Sequence, residues 1–486
     1  MINIAISCNE KDNYKVKYTF DILFQILGMK FNNVNSCEFD KTDLTICYGK
    51  KLDTTKLIFI PHYKNIEGDK DKKGNDVPEI SGFFKWQDKR IPFWYKYINL
   101  KKMSIDASED ITAEDSSKVI IKKNNSIYFG FDIVMSAFHL LSCQEEYLIN
   151  KRDKHGRFLG EYSPRNKYNL LEEPIVHYYA FLLREYILSV SDYTYGLALK
   201  NGLKVLLTHD VDNIDKNFWL LTRKIFLFLK SPSLIKFKSL LNFLLTNKCH
   251  NWNFDKYMKL ENKYNAKSVF YFLGGKKSRY GARYNWDKLK KIFSVIQKRG
   301  WGIGLHANYY YYDNALKLKN NKEMLELVSN SRVIGNRTHY LRFKIPRTFY
   351  KLIEADVKYD TSVSYPDVVG FRAGIAFPYK PFDIERNQVI DIIEVPLVIM
   401  DVVLFTQLGS DKEKILNKIK ELIDKIAEIN GYVAINWHNL YLNKEEFNGC
   451  GEIYEAILNY IYVLGGKFIT EKELLEIKNR NFIKIN

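Results

Sequence analysis

The sequence predicts an α/β protein of two domains, and three observations favour it. The chain has 486 residues, 46% of them hydrophobic, which is enough to fill more than one core. After about residue 200, short apolar runs alternate with helical patterns such as 285–300 and 413–430, an order typical of parallel strands joined by crossover helices. Neither an internal repeat nor a low-complexity linker interrupts the chain. We expect an N-terminal α/β domain over 1–199 and, over 200–486, a (β/α) barrel or a doubly wound sheet.

The first domain begins with short apolar strands that polar connectors separate, at 2–7, 43–49 and 56–62. A long helix is predicted at 173–190, where apolar residues recur at helical spacing. The polar stretch KRDKHGRFLGEYSPRN, residues 151–166, comes just before that helix and is expected to be exposed.

Seven apolar runs of the second domain predict its strands. They are KVLLT (204–208), KSVFYFLGG (267–275), GWGIGLH (300–306), RVIGNRTH (332–339), VIDIIEVPL (389–397), GYVAINWH (431–438) and KFIT (467–470). Several of them end at residues able to bind a metal or to move a proton. Because the carboxyl ends of parallel strands gather at one edge of a sheet, we expect those residues to meet there.

The charge balance excludes few partners. The chain has 74 Lys and Arg against 57 Asp and Glu, a net charge of +17, but single lysines carry the excess along the whole length. A Lys- and Asn-rich composition explains this pattern, while an acidic glycan or the phosphate of a lipid-linked sugar stays open. No nucleic acid is expected as a partner, because the sequence has no Arg-rich arm, zinc finger or RNP-type aromatic motif.

The cysteines and the hydropathy pattern bear on the compartment. Six scattered cysteines form no CxxC pair, which argues against a disulfide scaffold and favours a reducing compartment. No signal-peptide pattern or uninterrupted apolar span of membrane length occurs, so we expect a cytoplasmic protein. Residues 218–245 alternate Leu and aromatic residues with Lys and Arg, as an interfacial helix does. They predict either peripheral membrane contact or a helix packed on its own domain.

The run KVLLTHDVD carries three ionisable side chains in four positions. Side chains alternate along a strand, so Asp210 and Asp212 point to one face and His209 to the other. Two carboxylates therefore meet one site, although an Asp-x-Asp at a strand end can also cap a helix or form a turn. His306 and His339 each have a structural alternative as hydrogen-bonded buried residues. One carboxylate with two imidazoles is nevertheless the ligand set of a catalytic zinc site.

Four motifs in this order resemble carbohydrate esterase family 4, the polysaccharide deacetylases, and within it the subgroup whose first motif is THDVD. They are THDVD (208–212), GIGLH (302–306), GFRAG (370–374) and AINWHN (434–439). The resemblance covers about residues 200–475 and implies an irregular (β/α) barrel that binds a divalent metal, with zinc expected. It also implies roles for individual residues: Asp210 as the base, Asp212 and His306 as metal ligands, Arg372 beside Asp210, and His438 as the acid.

The sequence departs from the family pattern at the second metal histidine. GLHANYYYYDN offers no second histidine after His306, whereas the subgroup carries a similar Arg-x-His-Tyr-Leu-Arg stretch, which places the role on His339. Arg372 could instead form a surface salt bridge. The fourth motif is looser in IIEVPLVIMD, where either Glu394 or Asp401 could orient Arg372, and we assign Asp401.

Hydrolysis of an acetyl amide needs an activated water, a stabilised oxyanion and a proton for the amine. A metal would supply the first two, while Asp210 takes the water's proton and His438 donates to the nitrogen. The backbone N–H groups of Gly374 and Ile375 are candidate oxyanion donors. Tyr309 and Tyr310 could stack on sugar rings or could cover a helix end.

The first domain resembles the accessory domain of this subgroup through LLSCQEEY and RDKHGRF, and no function is predicted for it. Its charged residues form either an ion-pair network at the domain interface or a contact with a glycan or partner; they are Glu145, Glu146, Arg152, Asp153, His155 and Arg157.

The expected function is metal-dependent removal of an N-acetyl group from a sugar in a glycan or its precursor. Hydrolysis of an O-acetyl ester or a cyclic amide, and a catalytically silent carbohydrate-binding domain, are the alternatives. The oligomeric state is not predicted.

Overall fold

The computed structural model describes residues 2–34, 43–63, 79–96, 119–191, 202–214, 218–245, 252–444 and 447–481. The strands are β1 (Ile2–Ile6), β2 (Asn32–Asn33), β3 (Leu44–Tyr48), β4 (Lys56–Ile60), β5 (Gly82–Trp86), β6 (Lys89–Phe93), β7 (Ile120–Lys123), β8 (Ser126–Phe129), β9 (Lys204–Val211), β10 (Val269–Leu273), β11 (Gly302–Ala307), β12 (Gly335–Thr338), β13 (Tyr359–Asp360), β14 (Phe382–Asp383), β15 (Gln388–Val389), β16 (Ile393–Glu394), β17 (Leu397–Met400), β18 (Tyr432–Asn436) and β19 (Lys467–Phe468). The helices are α1 (Glu10–Leu27), α2 (Ile133–Leu141), α3 (Glu145–Leu148), α4 (Ile175–Val190), α5 (Phe218–Lys230), α6 (Leu234–Leu245), α7 (Phe254–Asn262), α8 (Lys290–Arg299), α9 (Ala315–Ser329), α10 (Arg347–Glu354), α11 (Asp401–Leu408), α12 (Lys412–Glu428), α13 (Cys450–Val463) and α14 (Glu471–Asn481).

The first sheet lies in the N-terminal part and has the order β2-β1-β3-β4-β8-β7. Its neighbouring strands run parallel except for β7 and β8, which pair antiparallel. Helices α1, α2 and α4 pack on one another, and α4 also contacts β4. β3 is buried along its whole length, as expected of a parallel strand covered on both faces.

The second sheet is parallel throughout and has the order β16-β13-β12-β11-β10-β9-β18-β17, with β19 beside β9. Apart from the separate hairpin of β14 and β15, the strands from β9 to β18 follow chain order around a ring, which is the order of a (β/α) barrel and not of a doubly wound sheet. Among the described residues no pairing joins β16 to β17, so the ring is open there. The predicted α/β class with an irregular (β/α) barrel is confirmed.

Two stretches differ from the sequence prediction, and the short barrel strand β13 was not predicted. The run 389–397 was expected to form one strand, yet it contributes to β15, β16 and β17. Pro396, which lacks the N–H that a continuous ladder needs, separates β16 from β17. The stretch 151–166 was expected to be exposed, yet His155, Phe158 and Arg165 are buried in it. The first difference has a local cause, whereas the second reflects contacts with residues distant in sequence.

The two parts of the chain share one hydrophobic core. A single cluster of buried side chains includes residues from β1 and α1 as well as from β9 to α14. The Tyr18 hydroxyl on α1 donates to the carbonyl of Lys380, at 2.8 Å. The predicted boundary at 199/200 falls within 192–201, outside the described residues.

Helices α5 and α6 form a hairpin between β9 and α7, and they occupy the segment for which membrane contact was one alternative. No described helix combines the length and the apolar character that a membrane span requires. Cys8, Cys47, Cys143 and Cys450 form no disulfide within the described part of the chain. Cys37 and Cys249 lie outside the described residues.

Candidate active site

Three residues predicted as metal ligands lie together at the carboxyl ends of the barrel strands. Asp212 follows β9, His306 lies on β11 and His339 follows β12. One side-chain donor atom from each can be chosen so that all three lie within 4.8 Å of one another. Asp212 Oδ1 is 3.1 Å from His306 Nε2, and Asp212 Oδ2 is 3.6 Å from His339 Nε2.

Backbone carbonyls set the orientation of both imidazoles. His306 Nδ1 lies 2.9 Å from the carbonyl oxygen of Arg337, and His339 Nδ1 lies 3.1 Å from that of Tyr280. Each carbonyl accepts a hydrogen, so Nδ1 carries a proton in both rings and Nε2 is the nitrogen that faces Asp212. This arrangement is the outer support that metal-binding histidines usually have.

The donor set fits a divalent cation. Asp212 Oδ1 and His306 Nε2 are buried and have no hydrogen-bond partner among the described residues, which is costly unless something else binds them. Burial raises the pKa of Asp212, but the imidazoles of His339 and His306 outweigh it and hold that pKa well below its usual value. An ionised carboxylate with two neutral imidazole nitrogens is a zinc-type ligand set.

The second carboxylate of the motif, Asp210, lies beside this cluster and is also buried. The side-chain amide of Asn436 donates to Asp210 Oδ2 at 3.0 Å. The guanidinium Nη1 of Arg337 is 3.6 Å from Asp210 Oδ1. His306 Nε2 and His438 Nε2 each lie 3.8 Å from Asp210 Oδ2, so Asp210 stands between the three-residue cluster and His438.

His438 follows β18 and is held by Asp401, the first residue of α11. Its Nδ1 lies 2.7 Å from Asp401 Oδ1, and its backbone N–H donates to Asp401 Oδ2. Nε2 points the other way and lies 3.9 Å from Asp212 Oδ2. Burial lowers the pKa of His438, but Asp401, with Asp210 and Asp212, outweighs it and raises that pKa to about 10.

The expected pairing of Arg372 with Asp210 is wrong. The guanidinium of Arg372 donates through Nε and Nη2 to both carboxylate oxygens of Glu146, at 2.7 and 2.6 Å, and through Nη1 to the carbonyl of Ser364. Arg372 is buried, and a buried guanidinium requires such a full set of acceptors. The arginine beside Asp210 is Arg337, which β12 directs to the barrel interior.

The residue expected to orient Arg372 is likewise corrected. Asp401 binds His438, and Arg372 is oriented by Glu146 from the N-terminal part. The alternative, Glu394 on β16, is fully buried and accepts from the backbone N–H of Val363 at 2.9 Å. Burial, followed by the neighbouring Asp360 carboxyl, raises the pKa of Glu394 well above its usual value. Neither predicted carboxylate therefore serves Arg372.

The predicted oxyanion donors do not have the expected environment. The N–H of Gly374 donates to the carbonyl of Phe371 at 2.9 Å, and Gly374 closes a turn with φ at 64°. A Cβ at this position would meet the Leu140 side chain at 3.0 Å. Ile375 is fully buried in the hydrophobic core. Gly374 therefore has no free N–H for an oxyanion and lies against the N-terminal part, while Ile375 belongs to the core that both parts share.

The tyrosines predicted to contact a sugar belong to an aromatic group that includes a residue of the N-terminal part. The ring of Tyr309 packs against Tyr280 and Tyr340, and its hydroxyl lies 3.0 Å from His155 Nδ1. Tyr340 in turn packs against the His339 ring. Tyr310 is about half exposed at 47%, so it is the tyrosine of the pair that a ligand can reach.

Residues 151–158, which we name the rim hairpin, tie the N-terminal part to the loop of His339. Asp153 holds Arg157 through both Nε and Nη2, at 2.9 and 2.8 Å. Arg157 Nη1 then donates to the carbonyl of Tyr340 at 3.1 Å. Tyr340 has a positive φ of 64°, an unfavourable conformation for a non-glycine residue that its surroundings must enforce.

Charged residues of the N-terminal part form the predicted ion-pair network, at least in part. Glu145 binds Arg165 at 2.9 Å, and Arg165 also donates to the carbonyls of Phe371 and Arg372. Glu146 binds Arg372 across the two parts. Arg152 instead donates to nearby backbone carbonyls of its own segment.

A cleft of about 750 Å³ lies beside the carboxyl end of β10. Tyr284 forms part of its wall, and the Tyr284 hydroxyl donates to the carbonyl of Val211, the residue between the two aspartates. Trp286, Tyr311 and three lysines contribute to the lining, the lysines being Lys277, Lys290 and Lys317. The cleft therefore presents aromatic and cationic groups next to the first motif.

Sequence reasoning missed two residues of the site, Arg337 and Asn436. Each stands two positions before a predicted site residue, His339 and His438. Because side chains two apart share a strand face, this spacing could have identified both. The third group missed is the carbonyl of Tyr280, for which the sequence offers no signal.

Comparison with known proteins finds one family model that matches the N-terminal part and several solved structures of low sequence identity. Residues 4–191 match a family of unknown function, DUF7033. No curated protein matches the chain. A candidate polysaccharide deacetylase from Mycobacterium smegmatis is 12% identical with a TM-score of 0.41, covering 58% of this chain and 92% of its own.

Two other solved structures show how broad this similarity is. A pseudoenzyme of the CE4 family from Bacillus anthracis is 11% identical with a TM-score of 0.32, covering 57% of this chain and 66% of its own. The α-amylase AmyC from Thermotoga maritima is 9% identical with a TM-score of 0.30, covering 57% and 74%.

Proposed function

We propose that the protein is a metal-dependent hydrolase that removes an N-acetyl group from a sugar of a glycan or glycan precursor. One observation carries the proposal: Asp212, His306 and His339 converge beside a separate carboxylate, Asp210, and an imidazole, His438. A ligand set next to a base and an acid is what amide hydrolysis requires. The sequence resemblance to the polysaccharide deacetylases supports the acetyl group and the sugar.

Asp212, His306 and His339 would hold the metal, which when bound lowers the pKa of water and polarises a carbonyl oxygen. In this proposal Asp210 accepts the proton of the attacking water. The Asn436 amide donates to Asp210 Oδ2 at 3.0 Å and the Arg337 guanidinium lies 3.6 Å from Oδ1, and these two contacts orient the carboxylate. In the family pattern an arginine serves this carboxylate, and here we assign that role to Arg337 instead of Arg372.

His438 is the proton donor in this proposal. Asp401 accepts the Nδ1 hydrogen, so the protonated ring directs its Nε2–H toward the two aspartates of the first motif. The reaction adds water to the acetyl carbon, breaks the carbon–nitrogen bond, and releases acetate and an amine. The amine takes its proton from His438, and the proton that Asp210 received from water returns through solvent to His438, so both groups are restored.

Two alternatives to this proposal are an O-acetyl esterase and a silent carbohydrate-binding domain. The reaction product distinguishes the first from the proposal, and metal content distinguishes the second. An O-acetyl esterase would release acetate with a hydroxyl, and the same five side chains could serve it. A silent carbohydrate-binding domain has no need for the Asp210 base and the His438–Asp401 pair, so their placement beside the ligand cluster favours an enzyme.

The test begins with zinc loading of the purified full chain. Acetate release is then assayed on N-acetylated chito-oligosaccharides and on O-acetylated xylan, with labelling of new amines in the first case. Acetate with an equal amount of amine supports the proposal, provided that Asp210→Asn abolishes both. Acetate from the xylan alone would establish the esterase, and no metal retention together with no acetate from either would overturn the assignment as a hydrolase.

A further inference from the structure

The hairpin of α5 and α6 exposes more large apolar side chains than any other described part of the chain. Leu229, Leu234 and Leu245 are 69%, 79% and 75% exposed. The hairpin also exposes Ile225, Phe226, Leu227, Phe237, Leu241 and Leu244. Contiguous apolar surface of this kind marks a site of contact with another protein or a membrane.

The hairpin holds itself together without covering this surface. Lys224 Nζ on α5 donates to Ser239 Oγ on α6 at 2.7 Å, and both side chains are buried. The Phe228 and Phe237 rings pack at 5.9 Å between centroids. The internal contacts are thus already made, and the exposed leucines and Phe226 lie outside them.

The charge on the hairpin has a single sign. Residues 218–245 contain five basic residues and no Asp or Glu. Lys230 and Lys238 are exposed, one on each helix. A surface that combines exposed leucine and phenylalanine with lysine, and has no acidic residue, is complementary to a surface that is both apolar and negative.

We propose that the α5–α6 hairpin, residues 218–245, docks this protein on an anionic lipid bilayer, with the helices lying in the interface. A second copy of the chain is a poorer occupant, because two such hairpins face to face would bring like charges together and offer Lys230 and Lys238 no acidic partner. The hairpin lies on the surface of the bilayer and does not cross it, since no described helix has the length and apolar character of a span. The inference does not depend on the proposed activity.

The experiment is co-sedimentation of the full chain with vesicles. Two kinds are compared: phosphatidylcholine alone, and vesicles in which phosphatidylglycerol replaces about a third of it. We expect binding to the anionic vesicles, weakened by added salt, and about tenfold or more weaker binding to the neutral ones. Phe226→Ser with Leu229→Ser removes apolar contact, and Lys230→Gln with Lys238→Gln removes charge; each pair should weaken binding about tenfold or more.

The matched control replaces Leu316 and Leu327 by serine, because these leucines of α9 are as exposed, at 68% and 76%, and lie outside the hairpin. The control should bind like the wild type, and circular dichroism checks that every variant is folded. Equal binding of the wild type to both kinds of vesicle, no binding to either, or equal loss in the control would overturn the proposal. So would self-association of the wild type that the hairpin variants abolish without any change in vesicle binding.

Discussion

His209, Asp210 and Asp212 show how strand alternation divides adjacent ionisable residues between two tasks. Asp210 and Asp212 face the ligand cluster. His209 points to the opposite face, where its Nε2 lies 2.6 Å from Glu261 Oε1 and its Nδ1 2.6 Å from the carbonyl of Trp437. Trp437 immediately precedes His438, so even the side chain that faces away supports the backbone of the proposed acid.

The two aspartates should respond differently to substitution. Asp212→Ala removes a ligand and is expected to abolish retention of metal, because two imidazoles alone leave the site incomplete. Asp210→Asn leaves the three ligands in place and should retain about one ion per chain, with kcat lower by about 10²-fold or more. Elemental analysis after dialysis, together with the acetate assay, measures both effects. Equal retention of metal by the two variants would contradict these roles.

Asp401 and Glu394 can be separated by a pair of conservative changes. Asp401→Asn places an amide beside His438 Nδ1 that can donate to it, which would turn the ring to the wrong tautomer. We expect kcat to fall about 10²-fold or more with metal content and KM unchanged. Glu394→Gln serves as the control, because its carboxyl is buried beside Asp360 with a raised pKa and is neutral like the amide. An equal fall in kcat for Glu394→Gln would return the orienting role to that residue.

At the scale of residues, the sequence predicted which side chains belong to the site better than it predicted the groups that they contact. Asp212, His306, His339 and His438 could be proposed because each ends a predicted strand. The partner of Arg372 could not, because Glu146 lies 226 residues earlier, and no local pattern reports a contact over that separation. The environment of Gly374 likewise depends on Leu140, a residue of the other part of the chain.

At the scale of elements, the regular alternation of apolar runs and helical patterns correctly predicted the barrel. The polar composition of residues 151–166, which include the rim hairpin, wrongly predicted an exposed stretch. The predicted helices at 173–190 and 413–430 correspond to α4 and α12, because apolar spacing is a local signal. The stretch 151–166 contains five basic residues, yet it is partly buried, because Arg157 donates to Asp153 and to the carbonyl of Tyr340, and Arg165 donates to Glu145. Composition alone does not disclose such partners.

The rim hairpin gives a prediction about metal affinity. Arg157→Ala removes the donor to the carbonyl of Tyr340, the residue after His339, and so loosens the loop that carries a proposed ligand. We expect zinc affinity to fall about tenfold, the lower end of the range for residues that support metal ligands, in a competition titration with a chromophoric chelator. Lys154→Ala in the same hairpin is the control, because Lys154 is exposed. Unchanged affinity in Arg157→Ala would show that the aromatic packing around Tyr340 holds the loop without it.

At the scale of the whole molecule, the two parts of the chain are joined by buried charge as well as by a common core. Glu146 and Arg372 are both buried and make a two-point ion pair, and Arg165 bridges Glu145 to the carbonyls of Phe371 and Arg372. Charges so deep are tolerated only when fully paired. The pairing positions the N-terminal part against the barrel, and a two-domain interpretation of the sequence does not anticipate how closely they are joined.

This coupling predicts a large and selective loss of stability. Glu146→Ala leaves the Arg372 guanidinium buried without its carboxylate, which should lower the free energy of unfolding by about 3–5 kcal/mol. Glu172→Ala is the matched control, because it removes a partly exposed ion pair with Lys418 that also joins the two parts, and should cost about 1 kcal/mol or less. Urea unfolding followed by tryptophan fluorescence reports on both parts, since Trp94 is buried in the N-terminal part and Trp437 is buried in the barrel. We expect one transition, shifted to lower urea in Glu146→Ala; two separate transitions in the wild type, or equal losses in the two variants, would show that the buried pair does not couple the parts.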